Sequence, residues 1–339
     1  MQADLIQKMQ KQWKRHVKSV KRIRKAFIVD TFQGPIFVKG YDSLQKVEWV
    51  VFLTEKLREK GFKRTLQYVY TKDQMPFIPH EGKYYVATKP IPGRDAQYDT
   101  FHDIVLTVSC LAEFHHYAQQ IKGGPVYPEA SVPIIDKWED RLTRFQTIIE
   151  RMKRSKSLGT LEKRIIKFSP YIIQEAQSAL DITKRSSIEE EYQQSLINHC
   201  VAHRDLASHN FRIGDQTYLI DYDTAMYDNQ LLDLVQMMNR TLDQQAWSLD
   251  IFATMIEQYQ KWKPLTDQQC SLAYLLLRYP DNFMREVIGL YGGRSTFVSK
   301  KIDAYLTMIM KNWGHRMTFF QGSRHFFRDE AHSDSSIVV

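Results

Sequence analysis

Between two long helical patterns lies one block that belongs to neither, His203–Asp221, HRDLASHNFRIGDQTYLID. An apolar approach leads into a polar loop. A β-prone run then turns at Gly214 and Asp215, and a second β-prone run ends in acid. A hairpin of this kind carries two sequence-distant polar groups to one place on rigid elements. The rest of the chain has to be read around it.

The residue types on the block suit phosphoryl transfer to a hydroxyl. Asp205 can orient the acceptor hydroxyl and take its proton. Little more is asked of a base there, because alignment and charge neutralisation supply most of the catalysis. Asn210, five residues on, offers a neutral oxygen to a hard cation and amide hydrogens to tie down the loop. Asp221 can bridge Mg²⁺ to triphosphate oxygens, so Asn210 and Asp221 form the expected metal pair. The tripeptide around Asp205 alone would be a weak signal, since an aspartate there can cap a helix or close an Asx-turn. The spacing to Asn210 and the hairpin to Asp221 give it weight. His203 reads as an organiser of the loop, and His209 as a contact for substrate or solvent.

Lys39, at the end of PIFVKGY, supplies the cation for a nucleotide site, with a carboxylate from the next helix to hold it. Glu55, sixteen residues on, is the expected partner. Glu48, nine residues on and near the helix start, is the competitor.

Around these residues the pattern changes once along the chain. KAFIVD and PIFVKGY read as a hairpin about Gly34, and LQKVEWVVFLTEKLREKGF as a helix stopped by Gly61. LQYVYT and KYYVATK read as further strands, separated by Pro76, Pro79 and Gly82. PIPGRD then breaks regular structure. A nucleotide-binding-like lobe is expected over 1–89 and a mainly helical lobe over 90–339, with the catalytic-loop hairpin at 200–223. In HDIVLTVSCLAEFHHYAQQ, Ile104, Val108, Leu111 and His115 share one helical face, which makes His115 a core residue. RMKRSKSLGT breaks the helices of 134–199, and the tail after about 314 is expected to pack loosely. The expected class is α+β, a bilobal protein-kinase-like, aminoglycoside phosphotransferase-like fold with a small sheet-containing N-lobe and a large helical C-lobe.

Composition removes several alternatives. A chain of 339 residues, 43% hydrophobic, builds real cores. Cys110, Cys200 and Cys270 are too few and too scattered for a disulfide framework or a cysteine zinc site. No run reaches the roughly 18 apolar residues of a membrane span, and MQADLIQKMQKQWK lacks the apolar core of a signal peptide. The net charge is +8, and the basic residues from Lys11 to Lys25 run without an intervening acid. They read as a solvated face, as attraction for a nucleotide's phosphates, or as contact with another polyanion. Neither a clear interleaving with stacking aromatics nor a recognition-helix pattern accompanies them, which argues against nucleic acid.

The chain resembles the spore coat-associated CotS family, a branch of the aminoglycoside and choline phosphotransferase group of the protein-kinase-like superfamily. FVKGY carries the nucleotide lysine, TKPIPGR resembles the interlobe connection, and LAEFHH resembles a helical signature of the second lobe. HRDLASHN and LIDYD match the catalytic loop and metal aspartate, at Asp205, Asn210 and Asp221. LLDLVQMM puts Asp233 where the group uses an aspartate to brace the active-site backbone. IDYDTAMYDNQLLDL is similar to the coat-associated branch. The resemblance implies ATP and Mg²⁺ as cofactors, a hydroxyl-bearing small molecule or coat component as acceptor, and attachment to the endospore coat alongside coat proteins.

One departure bears on activity. Residues 1–33 contain no glycine, and the turn expected to cover phosphates is the charged KRIRK region, where close backbone approach to phosphates is harder. Two readings therefore stand side by side. One is an ATP- and Mg²⁺-dependent phosphotransferase. The other is a catalytically inactive kinase-like protein serving coat assembly or germination.

Overall fold

The computed structural model describes residues 3–23, 26–125, 131–292 and 300–322. By internal contacts the chain divides into two compact units. The first comprises Met1–Gln97, Ser109–Ala130 and Ser195–Gln230, and the second Tyr98–Val108, Ser131–Gln194 and Leu231–Val339.

The first unit opens with helix α1 (Ala3–Trp13), followed by strands β1 (Val17–Ile23), β2 (Ala26–Thr31) and β3 (Ile36–Tyr41), helix α2 (Leu44–Lys60), and strands β4 (Phe77–His80) and β5 (Lys83–Thr88). The strands form one antiparallel sheet in the order β1-β2-β3-β5-β4. Gly34 turns the expected hairpin with φ +96°, and its N–H donates to Thr31 O at 3.1 Å. Leu5, Met9 and Trp13 recur at the spacing of one helical face. They bury that face against Val29, Ile36 and Val38 of the sheet. Strand alternation turns Lys39 and Tyr41 to the face opposite Val38.

One local expectation is corrected. LQYVYT is not a strand. Only Tyr68 bridges to Thr88, because a turn at Thr71–Met75 brings Phe77–His80 back to pair with Lys83–Val86 on β5. Pro79 thus sits on an edge strand, where its missing N–H is tolerated. Glu81 and Gly82, with φ of 45° and 72°, make the tight hairpin turn that follows. Of the amino-terminal basic residues, Lys11 lies on α1, Lys14 and Arg15 on the connection after it, and Lys18, Lys21 and Arg22 on β1, mostly exposed as in the solvated-face reading. Arg24 and Lys25 fall outside the described residues.

Helix α2 begins at a Ser43 cap, whose hydroxyl accepts from Lys46 N–H at 3.3 Å. It ends at Gly61 with φ +124°, where the Phe62 and Gly61 N–H groups close back on Leu57 O. Strand β6 (Arg94–Asp95), the C-terminal half of helix α3 (Phe101–Tyr117) and residues 195–230 complete the unit.

The second unit is helical. It holds α4 (Ile134–Lys153), α5 (Thr160–Thr183), most of α6 (Ile188–Ile197), α7 (Leu231–Gln244), α8 (Leu249–Gln260), α9 (Asp267–Leu276), α10 (Asp281–Tyr291) and α11 (Lys300–Gly322). Trp138 stacks on Tyr279 with ring centroids 4.0 Å apart. Asp243 lies fully buried and accepts from Asn282 Nδ2, Tyr305 OH and Trp247 Nε1. Burial raises its pKa, which those three donors oppose. The tail expected to loosen after about 314 is instead helical to Gly322, and the rest of it lies outside the described residues. No described helix is long and apolar enough to cross a membrane. The cysteines are free thiols, and burial pushes Cys110 up to about 12.

Candidate functional site

The block at 200–223 folds as a short strand, a loop and a hairpin. The strand is β7 (Val201–Ala202). The hairpin pairs β8 (Phe211–Ile213) with β9 (Thr217–Leu219), and β6 adds to the β8 edge. Beyond it β10 (Met226–Tyr227) returns to pair with β7.

Hydrogen bonds fix the loop from within. His203 is fully buried. Its Nδ1 accepts from Asp205 N–H at 3.4 Å, so the Nε2–H is left to donate to Ile220 O at 3.0 Å. The ring thereby joins the backbone of Asp205 to that of Ile220, the residue before Asp221, the organising role expected of it. Asn210 is buried, and its Nδ2 donates to Asp205 O at 2.8 Å and to Asp205 Oδ2 at 3.1 Å. Its backbone carbonyl accepts from Ile220 N–H at 2.9 Å. His209 is exposed and His115 is buried.

Two residues without the freedom of glycine stand in the left-handed region here, Arg204 at φ +68° and Asp221 at φ +67°. Such a conformation costs about 1–2 kcal/mol for most side chains, and less for aspartate. Arg204 is held by an ion pair to the buried Asp228, Nε to Oδ2 at 3.1 Å. Strain that the surroundings over-determine is characteristic of functional sites.

Lys39 reaches this loop. Its Nζ lies 2.7 Å from Asp221 Oδ1 and 2.7 Å from Asp223 Oδ1. Tyr41 OH donates to the same Asp223 oxygen at 2.9 Å. The Lys39 side chain is 20% exposed, and those of Asp221 and Asp223 43% and 27%. Burial works against the Lys39 charge, yet the two aspartates outweigh it and raise the ammonium pKa above its ordinary value. Burial likewise opposes the Asp221 charge, and Lys39 outweighs it, holding that carboxyl below the usual range. Burial, reinforced by Asp223, pushes the Tyr41 hydroxyl well up.

The expected Lys39–Glu55 pair is not formed, nor is the alternative with Glu48. The two glutamates stand seven positions apart on the flank of α2, beside the buried stripe of Val47, Val50, Val51, Thr54 and Leu57. Glu55 instead faces Tyr70, whose hydroxyl pKa is raised by burial and by that neighbouring carboxylate. Asp223 is the residue that the sequence reading passed over. Its signal is the Asp-Tyr-Asp run, two acids two positions apart, with Asp221 at the N-cap and Asp223 within a short 3₁₀ turn (Tyr222–Thr224). Trp49 on α2 ties down the far side of that turn through Nε1 to Ala225 O at 2.8 Å.

A divalent cation with a nucleotide fits these residues. The Asn210 amide nitrogen is committed to Asp205, which leaves its Oδ1 as the neutral ligand, and Asp221 and Asp223 offer carboxylate oxygens whose present partner is an ammonium. Hard oxygen ligands of mixed charge suit Mg²⁺. Asp233, on α7 in the second unit, is buried.

With the geometry established, comparison with known proteins decides the family. Residues 6–323 match the family described as "Spore coat putative kinase YutH". The chain belongs to that family. Endospore coat-associated protein YutH of Bacillus subtilis (strain 168) is 20% identical over 287 residues, 83% of this chain and 80% of that protein. Among solved structures, an aminoglycoside phosphotransferase from Alicyclobacillus acidocaldarius subsp. acidocaldarius DSM 446 superposes with a TM-score of 0.79 at 14% identity, over 92% of each chain. Spectinomycin phosphotransferase APH(9)-Ia, in complex with ADP and spectinomycin, gives 0.65 at 14% identity, over 93% of this chain and 99% of that one. At such identities these likenesses speak for the fold. The YutH-family chain therefore has the bilobal protein-kinase-like fold of aminoglycoside phosphotransferases, as the motifs implied.

Proposed function

We propose that this YutH-family chain is an ATP- and Mg²⁺-dependent phosphotransferase acting on a hydroxyl acceptor, a small molecule or a component of the spore coat. The observation that carries the reading is Lys39 seated on both Asp221 and Asp223, beside a loop in which Asn210 locks Asp205. An ammonium between two carboxylates is poised for exchange. Were those carboxylates to hold a cation, Lys39 would be free to face phosphate oxygens.

Bound Mg²⁺ would neutralise charge on the triphosphate. The chain's own residues do the remaining work. Asp221 and Asn210 Oδ1 would hold the cation, with Asp223 beside them. Lys39 steadies the phosphates. Asp205, fixed by the Asn210 amide, orients the acceptor hydroxyl and accepts its proton as that oxygen bonds to the γ-phosphorus and the bond from the γ-phosphorus to the oxygen of the β-phosphate breaks, with ADP as the leaving group. The basic residues of β1 supply long-range attraction for the anionic nucleotide.

A second reading, a non-catalytic coat protein, draws on the absence of glycine before Gly34. Transfer of labelled γ-phosphate to a panel of amino alcohols, sugars and coat extracts separates the two. Label in any acceptor with wild type, lost in Asp205→Asn, supports the enzyme. No label from folded protein in any of them supports the second reading.

A further inference from the structure

We propose that Asp4, His80 and Glu81 form a binding site for a zinc-class divalent cation that fastens helix α1 to the β4–β5 hairpin. Among the described residues these are the one group of three His, Cys, Asp or Glu side chains whose ligand atoms all lie within 4.8 Å of one another. His80 Nε2 stands 3.3 Å from Asp4 Oδ2 and 4.0 Å from Glu81 Oε2. Ligands at zinc bond lengths of about 2.0–2.2 Å sit about 3.4 Å apart around a tetrahedral centre.

The imidazole is what distinguishes this group from a surface patch of acid. Its side chain is 10% exposed, and the Nε2 atom is buried without a hydrogen-bond partner although a carboxylate lies beside it. A buried ring nitrogen left in that condition lacks the stabilisation that a partner would restore. An ordinary histidine–aspartate hydrogen bond would aim an N–H at Asp4, and the angles here do not make one. A lone pair aimed at a cation between the three groups satisfies the nitrogen. Asp4 and Glu81 remain 61% and 60% exposed, so an ion has a path in and water can complete its coordination.

The backbone sets the ligands in place. Glu81 occupies the first left-handed position of the two-residue turn, directly after the last residue of β4, so it projects beside His80. Asp4 lies in the first turn of α1, and one turn on Lys8 Nζ donates to Pro79 O at 2.5 Å. The helix is thus already pinned next to the site by a cation that leaves the carboxylates alone. One imidazole with two carboxylates favours zinc-class ions over Mg²⁺ or Ca²⁺, which take oxygen ligands. Such a cross-link would stabilise the contact that buries Leu5, Met9 and Trp13, because a ligand that binds the native state alone raises its stability.

The test uses the full chain, stripped with a chelator and desalted, and titrated with Zn²⁺ by calorimetry alongside thermal melts. The expected result is saturation at one ion per chain with a rise in Tm. Both are unchanged in Asp221→Asn, abolished in His80→Ala, and weakened at least about tenfold in Glu81→Gln. Glu81 is exposed, so the glutamine variant decides the matter if His80→Ala fails to fold. Absence of saturable binding to the wild type, or binding that survives Glu81→Gln and any folded His80→Ala unaltered, overturns the proposal.

Discussion

Lys39 and Asp221 stand 182 positions apart in the sequence and meet at 2.7 Å. The strand that carries the lysine and the loop that carries the acid fold into one unit, and each charge offsets the other's burial. Replacing Lys39 with Met therefore does more than remove a phosphate ligand, since it leaves Asp221 and Asp223 facing each other with the more distant Lys46, its Nζ 3.9 Å from Asp223 Oδ2, as the cation beside them. Lys39→Met is expected to lose at least about tenfold in affinity for Mg²⁺-ATP, an effect on the order of the 1.4 kcal/mol that a charge-assisted hydrogen bond contributes. Fluorescent-nucleotide binding measures it, and unchanged affinity would remove Lys39 from the site.

The two aspartates of the loop should separate in experiment. Asp205→Asn keeps the shape and a hydrogen-bonding partner for Asn210 while removing the base. Asp221→Asn takes charge from the metal ligand itself. Mg²⁺-dependent nucleotide affinity is expected to survive the first and fall about tenfold or more in the second, with phosphoryl transfer lost in both. Equal loss of affinity in the two variants would contradict the division of roles.

The Lys39–Asp221 pair predicts a defined pH window. The folded Asp221 pKa lies below its unfolded value of 3.8, so its contribution is complete above 3.8 and lost as the pH falls through the depressed value. The folded Lys39 pKa lies above 10.5, so its contribution is complete below 10.5 and lost as the pH rises through the raised value. The stability difference between wild type and Lys39→Met should be flat between these limits and shrink outside them. Asp221 is 43% exposed, which keeps the amplitude to at most about 1 kcal/mol. Urea unfolding at a series of pH values checks it, and a difference that varies through neutral pH would point to another group.

Gly93 makes a separate demand on the site's foundation. It has φ +100°, and a Cβ there would overlap Ile213 O on β8. Arg212 at the same junction pairs with Asp95 Oδ1 at 2.5 Å. Gly93→Ala is expected to destabilise the protein by at least about 1–2 kcal/mol from backbone conformation alone. A lowered urea midpoint with unchanged slope is the readout, and an unchanged midpoint would show that the junction yields.

Some of this was legible in the residues. Gly34, Gly61 and the Gly214 turn punctuate the chain as their chemistry demands, and the HRDLASHN loop needed no structure to be recognised. Helix α1 was harder to see, because lysines and arginines around Leu5, Met9 and Trp13 drew attention to charge and away from an apolar stripe. LQYVYT has strand composition, but β5 has one free edge and Phe77–His80 occupies most of it. Composition cannot express that competition. The Lys39 partner was sought on the next helix in sequence, whereas the structure supplies it from a loop more than 180 residues away.

The most direct measurement is calorimetric titration of ATP into the purified full-length chain with and without Mg²⁺, repeated with Asp221→Asn. A nucleotide site built on Lys39, Asn210 and Asp221 predicts saturable binding at one nucleotide per chain that requires Mg²⁺ and is lost or strongly weakened in the variant. Folded wild-type protein that takes up no nucleotide in the presence of Mg²⁺, or binds it equally well after Asp221→Asn, would contradict it.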